Sequence, residues 1–211
     1  MNETIDLLTA YCERLSTPPT PVLKELERET HLKTLAPQMM SGHLQGHLLR
    51  LLCRLKQPKC VLEIGTFTAY ATICLAEGLP ADGILHTIEA NPEMAHIIEK
   101  YIQKAGLAER VQSHIGRAEE IIPRLNQRFD FVFLDAGKLD YGMFYDLLID
   151  QINPGGLILA DNVLWSGKVV QSTKDKDTAA LHAFNEKINQ DPRVENIILP
   201  IRDGLLIAQK L

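Results

Sequence analysis

Near the end of this sequence two apolar, strand-like runs, 195–200 (ENIILP) and 205–210 (LLIAQK), are separated by only the four residues 201–204. So short a connection can join antiparallel strands but not parallel ones, whose crossover needs a dozen or more residues. Upstream the rhythm is the opposite. Five runs with strand character, 60–65 (CVLEIG), 84–89 (ILHTIE), 111–115 (VQSHI), 131–135 (FVFLD) and 157–161 (LILAD), are spaced by amphipathic stretches at 69–79, 91–105, 117–126 and 140–151. Strand and helix in alternation predict a parallel sheet covered on both faces, with ligands at the carboxyl ends of its strands. The expected fold is α/β: a seven-stranded, mostly parallel sheet with an antiparallel C-terminal hairpin and helices on both faces.

Before residue 59 the pattern is helical only. Residues 2–15 carry apolar side chains at helical spacing, and STPPTP at 16–21 interrupts them. A second helix is expected over 22–35 and, after a loop at 37–42, a third over 43–55. Residues 1–58 thus read as an N-terminal helical cap on a core of 59–211, in one domain of 211 residues. His43 and His47 stand four apart on the third helix, but without the glutamate of a zincin or a third ligand they read as structural. Cys12, Cys53, Cys60 and Cys74 lack CxxC spacing and the density of a disulfide scaffold, so they read as reduced packing residues. A net charge of −5 with no basic run argues against recognition of nucleic acid through its phosphates. No stretch is long and apolar enough to span a bilayer, and MNETIDLL at the start is acidic where a signal peptide is basic. A cytoplasmic protein without a membrane partner is expected.

The turn after the first strand, 63–69 (EIGTFTA), is not GxGxxG. A dinucleotide turn uses its glycines to close backbone N–H groups on a pyrophosphate, which a carboxylate at the mouth would repel. Glu63 suits a positively charged ligand instead. S-Adenosylmethionine carries an ammonium, a sulfonium and no phosphate, while its adenosine still needs the crevice at this sheet edge. Glu89 ends the second strand, at the spacing from which an acidic residue hydrogen-bonds ribose hydroxyls.

The fourth strand runs into Asp135 and the fifth into Asp161-Asn162. In a parallel sheet both ends share one edge, so these side chains can converge beside the cofactor. Two carboxylates and an amide oxygen form a hard, all-oxygen set suited to Mg²⁺, with coordination positions left for a vicinal diol such as a catechol. A bound cation would acidify a phenol and orient it toward the sulfonium methyl. Lys138, three residues beyond Asp135, is the candidate base for the phenolic proton.

With these residues in place, the sequence resembles the cation-dependent class I O-methyltransferases, the group containing the catechol and caffeoyl-CoA O-methyltransferases and their small bacterial relatives. The resemblance runs through PVLKELERETH, VLEIGTFTAYAT, HTIEANPE, FDFVFLDAGKLDY, PGGLILADNVLWSGKV, FNEKINQDPRVE and LPIRDGLLIAQK, nearly the whole chain. It implies a Rossmann-like core and metal ligation by Asp135, Asp161 and Asn162, whether the cation is Mg²⁺, Mn²⁺ or Ca²⁺. It implies cofactor contacts from Ser41, Glu63, Gly65, Phe67, Tyr70, Ala71, Glu89, Ala118 and Asp135. It also implies catalytic roles for Asp135 and for Lys138 as base, a substrate wall at Trp165, and Asp203 near the substrate or the rim. A homodimer is implied as well, the N-terminal helices closing over the substrate or packing on a second subunit. Some positions depart from the family pattern: Ala69 stands for a glycine, Ala71 for a serine, Glu89 for the more common aspartate, Gly137 for an aspartate and Arg202 for a glycine. Arg202 is there a candidate for reading an anionic substrate group. The expected activity is S-adenosylmethionine- and Mg²⁺-dependent O-methylation of a small catechol-type substrate. Its rivals are methylation of a hydroxylated uridine in tRNA, against which the acidic charge counts, and cofactor binding without catalysis on the same fold.

Overall fold

The structure, a computed structural model, describes residues 3–211, so Asn2 of the expected first helix lies outside the described residues. Helix α1 (Glu3–Leu15) ends before the proline segment, and α2 (Pro21–Lys33) starts within it. There Thr20 Oγ1 accepts the Leu23 N–H at 3.4 Å, and Pro21 occupies the first helical turn, where a missing N–H costs nothing. The expected loop at 37–42 contains one 3₁₀ turn, Pro37–Met39, before α3 (Gly42–Lys56).

Strand and helix then alternate through β1 (Cys60–Ile64), α4 (Tyr70–Gly78), β2 (Ile84–Glu89), α5 (Ala95–Lys104), β3 (Val111–Ile115), α6 (Ala118–Leu125), β4 (Phe129–Leu134), α7 (Tyr141–Leu148) and β5 (Ile152–Ala160). After β5 come α8 (Lys176–Gln190), β6 (Val194–Leu199) and β7 (Leu205–Lys210). The seven strands form one sheet in the order β3-β2-β1-β4-β5-β7-β6. β1 to β5 are parallel, and β7 runs antiparallel to both β5 and β6, as the short connection at 201–204 requires. Helix α8 was not expected, because its charged start, KDKD, hides the periodicity. Asp175 caps it by accepting the Thr178 N–H at 2.8 Å, and Leu181, Phe184 and Ile188 form its buried face.

The sheet separates two apolar cores. On one face Phe131 and Phe133 of β4 meet Leu23 and Leu26 of α2, Leu49 and Cys53 of α3, and Tyr101 of α5. On the other, Phe129, Val132 and Leu134 meet Ile122, Tyr145 and Phe184. An irregularity between Phe129 and Phe131 turns these two residues to opposite faces despite their even spacing. The segment expected as a cap therefore supplies α2 and α3 to the layer that covers one face.

Helix α3 lies close on α4 because two glycines permit it. A Cβ at Gly78 would come within 2.6 Å of the Arg50 carbonyl oxygen and the Cys53 Cβ, and one at Gly46 within 2.7 Å of Cys74 Sγ. Gly78→Ala should force the helices apart and lower the unfolding free energy by about 1–3 kcal/mol, the usual cost of overpacking. Denaturant titration of the two proteins checks this, and an unchanged midpoint would refute it.

Candidate active site

The strand order reverses between β1 and β4, and at this switch point a crevice opens outside the carboxyl ends of the strands. It holds a cavity of about 1000 Å³. Of the residues singled out in the sequence, Gly65, Phe67, Glu89, Ala118, Asp135, Lys138, Asp161, Asn162 and Trp165 line it. Ser41, Tyr70 and Ala71 line a small adjoining cleft, which shares Met39, Gly65, Phe67 and Asp135 with the main cavity. Residues 33–36 together with Gln38 and Met39, which sequence reasoning missed, close the cavity from the α2–α3 side.

The turn after β1 is held by backbone geometry. Gly65 has φ +99°, and its N–H donates to the Ile88 carbonyl at 2.9 Å. A Cβ there would lie 1.9 Å from the Asp135 carbonyl oxygen, so only glycine fits. Glu89 ties two turns together: its Oε2 accepts the Phe67 N–H of this turn at 2.7 Å, and its Oε1 accepts the Asn91 N–H of the turn after β2 at 2.8 Å. Phe67 is thereby fixed at φ +51°. Ala69, where the family pattern has glycine, adopts φ +75°, a left-handed conformation that costs an L-residue about 1–2 kcal/mol.

Glu63 does not stand at the mouth of the crevice, as the charge argument expected. Its side chain is fully buried and lines neither cavity nor cleft. Strand alternation sends it to the α4 side, where Thr72 Oγ1 and Thr87 Oγ1 donate to its Oε2 at 2.5 and 2.6 Å. Its Oε1 is buried with no partner among the described residues. Burial pushes the carboxyl up to about 8, against the opposing pull of the two threonine hydrogen bonds.

The second half of the crevice is built on β4 and β5. The ladder continues past the strands, Asp135 N–H donating to Ile64 O at 2.8 Å and Asp161 N–H to Leu134 O at 2.9 Å, so the two carboxylates step off neighbouring strands side by side. Burial pushes the Asp135 carboxyl up, Lys138 opposes this, and the Asp161 charge adds to it. Lys138 Nζ donates to Asp135 Oδ1 at 3.1 Å and to the Tyr141 hydroxyl at 2.7 Å. That hydroxyl lies 3.2 Å from the Leu134 carbonyl oxygen and 3.0 Å from that of Asp161. Tyr141 was missed, although its place one helical turn after Lys138 was a usable signal.

The loop after β5 carries the remaining candidates. Asn162, Trp165 and Ser166 all have φ near +50 to +60° (60, 48 and 53°). The β6–β7 turn holds them: Val163 N–H donates to Gly204 O at 3.1 Å, Leu164 N–H to Asp203 O at 3.0 Å, and Ser166 N–H to the Asp203 carboxylate. Asp203 lines neither cavity nor cleft. It supports the Trp165 loop from behind, and burial raises its carboxyl.

Asp135, Asp161 and Asn162 share one cavity wall, and their donors are all oxygen, which fits a hard cation such as Mg²⁺. Among the described residues no group of three or more His, Cys, Asp or Glu is arranged for a metal, so a cation here would rest on two carboxylates and an amide. His43 and His47 are otherwise engaged, at 2.7 Å from the Thr17 carbonyl and 2.6 Å from the Arg50 guanidinium. The four cysteines are free. No helix among the described residues is long and apolar enough to cross a membrane.

A parallel sheet with a reversed seventh strand and a cavity at its β1/β4 switch point is the architecture of the Rossmann-like methyltransferases. The family model for O-methyltransferases matches residues 13–211, and the chain belongs to that family. It is 36% identical over 174 residues to the catechol O-methyltransferase of Niastella koreensis, covering 78% of this chain and 79% of the relative. With caffeoyl-CoA O-methyltransferase 1 of Eucalyptus globulus the identity is 34% over 201 residues, covering 90% and 81%. The SAH-bound methyltransferase of Podospora anserina superposes with a TM-score of 0.92 at 29% identity, covering 100% of this chain and 96% of that one. The O-methyltransferase TomG of Streptomyces achromogenes, solved with SAM, superposes with a TM-score of 0.87 at 32% identity, covering 95% and 94%.

The buried Glu63 makes a pH prediction. An acid whose folded pKa is raised keeps a proton that the unfolded chain gives up. Its contribution is fully present below the ordinary glutamate value and is lost as pH rises toward about 8. Glu63→Gln has no such proton, so its unfolding free energy should fall less steeply than the parent's between about pH 5 and 8. Denaturant unfolding across that range measures both slopes, and equal slopes would show that Glu63 is not protonated in the fold.

Proposed function

We propose that this chain transfers the methyl group of S-adenosylmethionine to a hydroxyl of a small catechol-type substrate, with Mg²⁺, or Mn²⁺ or Ca²⁺ in its place. The observation that carries the reading is the convergence of Asp135, Asp161, Asn162 and Lys138 in one wall of the crevice that Gly65 and Glu89 also line. Asp135, Asp161 and Asn162 would hold the cation, which when bound supplies a Lewis acid that acidifies a phenol and fixes its oxygen.

The chain's own residues do the rest. Glu89 keeps acceptor lone pairs for ribose hydroxyls while it fixes the turn through Phe67. Gly65 lets the cofactor approach the backbone, Ala118 borders its adenosine end, and Ser41, Tyr70 and Ala71 frame the cleft for its methionine end. Glu63 acts through the turn, tying Thr72 of α4 to Thr87 of β2 beneath it. Lys138, only 10% exposed at its side chain, is held as an ammonium by Asp135 and Tyr141, and as the free amine it would take the phenolic proton. Trp165 walls the substrate side, and Asp203 holds the Trp165 loop in place.

Names among the relatives, catechol and caffeoyl-CoA O-methyltransferase, support an aromatic vicinal diol. We place the protein in the cytoplasm, as one domain and as a homodimer. Leu7, Leu8, Tyr11 and Leu15 of α1 and Leu51 and Leu55 of α3 are exposed and would be covered by a second subunit. The net charge of −5 disfavours tRNA as the substrate.

Incubation with S-adenosylmethionine, Mg²⁺ and a panel of catechols should yield a methyl ether by mass spectrometry, and excess chelator should stop it. Asp161→Ala should remove turnover yet leave S-adenosylhomocysteine binding measurable by calorimetry. Lys138→Met should lower kcat by about 100-fold or more, the scale of lost general-base assistance. Turnover that survives the chelator would sink the metal role, and a salt-sensitive tRNA complex would favour the tRNA reading.

A further inference from the structure

Arg202 is the departure from the family pattern with the longest reach. It sits in the β6–β7 turn at φ +50°. Its Nη1 donates to the Ser41 carbonyl and, at 2.6 Å, to Gln45 Oε1, and its Nη2 donates to the Met40 carbonyl at 3.2 Å. These acceptors lie 157 to 162 positions earlier in the chain, where the loop enters α3. Ser41 and Gln45 are buried, and Gln45 Nε2 has no partner among the described residues, so the guanidinium serves the polar end of Gln45 that is satisfied. Met39, Met40 and Ser41 line the small cleft, while Arg202 lines the main cavity. One side chain thus fastens the C-terminal hairpin to the segment that walls the cleft. Three of its five N–H donors are engaged within the protein.

We propose that Arg202 is a positioning residue for the methyl donor, a clasp that holds Met40 and Ser41 against the cleft so that the methionine end of the cofactor meets a preformed wall. The proposal rests on the methyltransferase reading above. Arginine suits the task because its planar fork presents several donors in fixed directions, whereas a lysine ammonium can serve fewer of these acceptors from one point. A preformed wall improves affinity by removing the ordering cost from the binding step.

Two measurements test it on the full chain. In the cofactor-free protein, Arg202→Gly should speed amide hydrogen exchange over residues 40–46 by about tenfold, as a local opening made easier by that factor would. Glycine adopts φ +50° freely, so this variant removes the side chain without straining the turn. In calorimetry with S-adenosylhomocysteine, Arg202→Gly should weaken binding about tenfold, or about 1.4 kcal/mol. The KM for S-adenosylmethionine should rise to match, kcat at saturating donor should stay within about threefold, and Arg202→Lys should recover part of the loss.

Unchanged exchange would show that there is no clasp. Faster exchange with unchanged affinity and KM would show a clasp that positions nothing, and a fall in kcat with unchanged KM would also overturn the assignment. If the parent chain itself fails to bind S-adenosylhomocysteine, the methyltransferase reading falls. The cofactor role of Arg202 then falls with it, while the exchange experiment still shows whether the contact is a clasp.

Discussion

The contact between the turn after β1 and the turn after β4 governs the crevice. At Gly65 the backbone comes so close to the Asp135 carbonyl that a single added carbon would overlap it, at 1.9 Å. The turn that Glu89 braces and the turn that carries Asp135 are therefore one packed unit. Separation of the two strands by a larger residue would widen the crevice and shift Asp135 relative to Asp161, which hangs from the next strand through the Leu134 carbonyl. Reactions that depend on orientation lose rate steeply with such shifts.

Asp135, Asp161 and Lys138 raise a second physical problem, since neighbouring carboxylates removed from water repel one another. Lys138 relieves this only in part. It pairs with Asp135 at 3.1 Å, while burial and the Asp161 charge still push Asp135 upward. Buried charges of this kind are poor contributors to stability, because desolvation offsets most of the attraction. Their placement in a cavity wall is therefore poorly explained as a device for holding the fold together. Tyr141 completes the arrangement by fixing the ammonium from below.

The sheet was legible because its signals are local: apolar runs, helix-length spacers, and a connection of four residues that excludes a parallel crossover. Asp135 and the Asp161-Asn162 pair were legible for the same reason, since a strand end fixes where a residue lies along the sheet. The direction of a side chain was harder to read. Glu63 was placed at the mouth, yet alternation in β1 puts it on the face of Val61, and the β1–β2 register sets it directly beside Thr87. A carboxylate flanked by threonines on the neighbouring strand and helix was the available signal. The role of Asp203 behind the Trp165 loop, and the wall at residues 33–36, 38 and 39, were not legible, because they depend on loops whose paths are set by tertiary contacts. Helix α8 was obscured by charge at its start, though its cap residue and its Leu181-Phe184-Ile188 spacing were present.

The loops that resisted reading are also where the backbone is least comfortable. Of the eight non-glycine residues with positive φ among those described, Gln57 and Asn126 terminate helices. The other six, Phe67, Ala69, Asn162, Trp165, Ser166 and Arg202, belong to the loops that border the crevice. Such conformations persist only where surrounding bonds over-determine them. Here those bonds are identifiable: Glu89 fixes Phe67, the Asp203 carboxylate fixes Ser166, and the Asn162 N–H donates to the Asp161 side chain at 2.8 Å. The restraining groups are thus site carboxylates or their immediate supports. Loss of one of them would let its loop relax toward ordinary backbone angles, so shape and charge in this crevice are coupled, and a substitution aimed at either should change both.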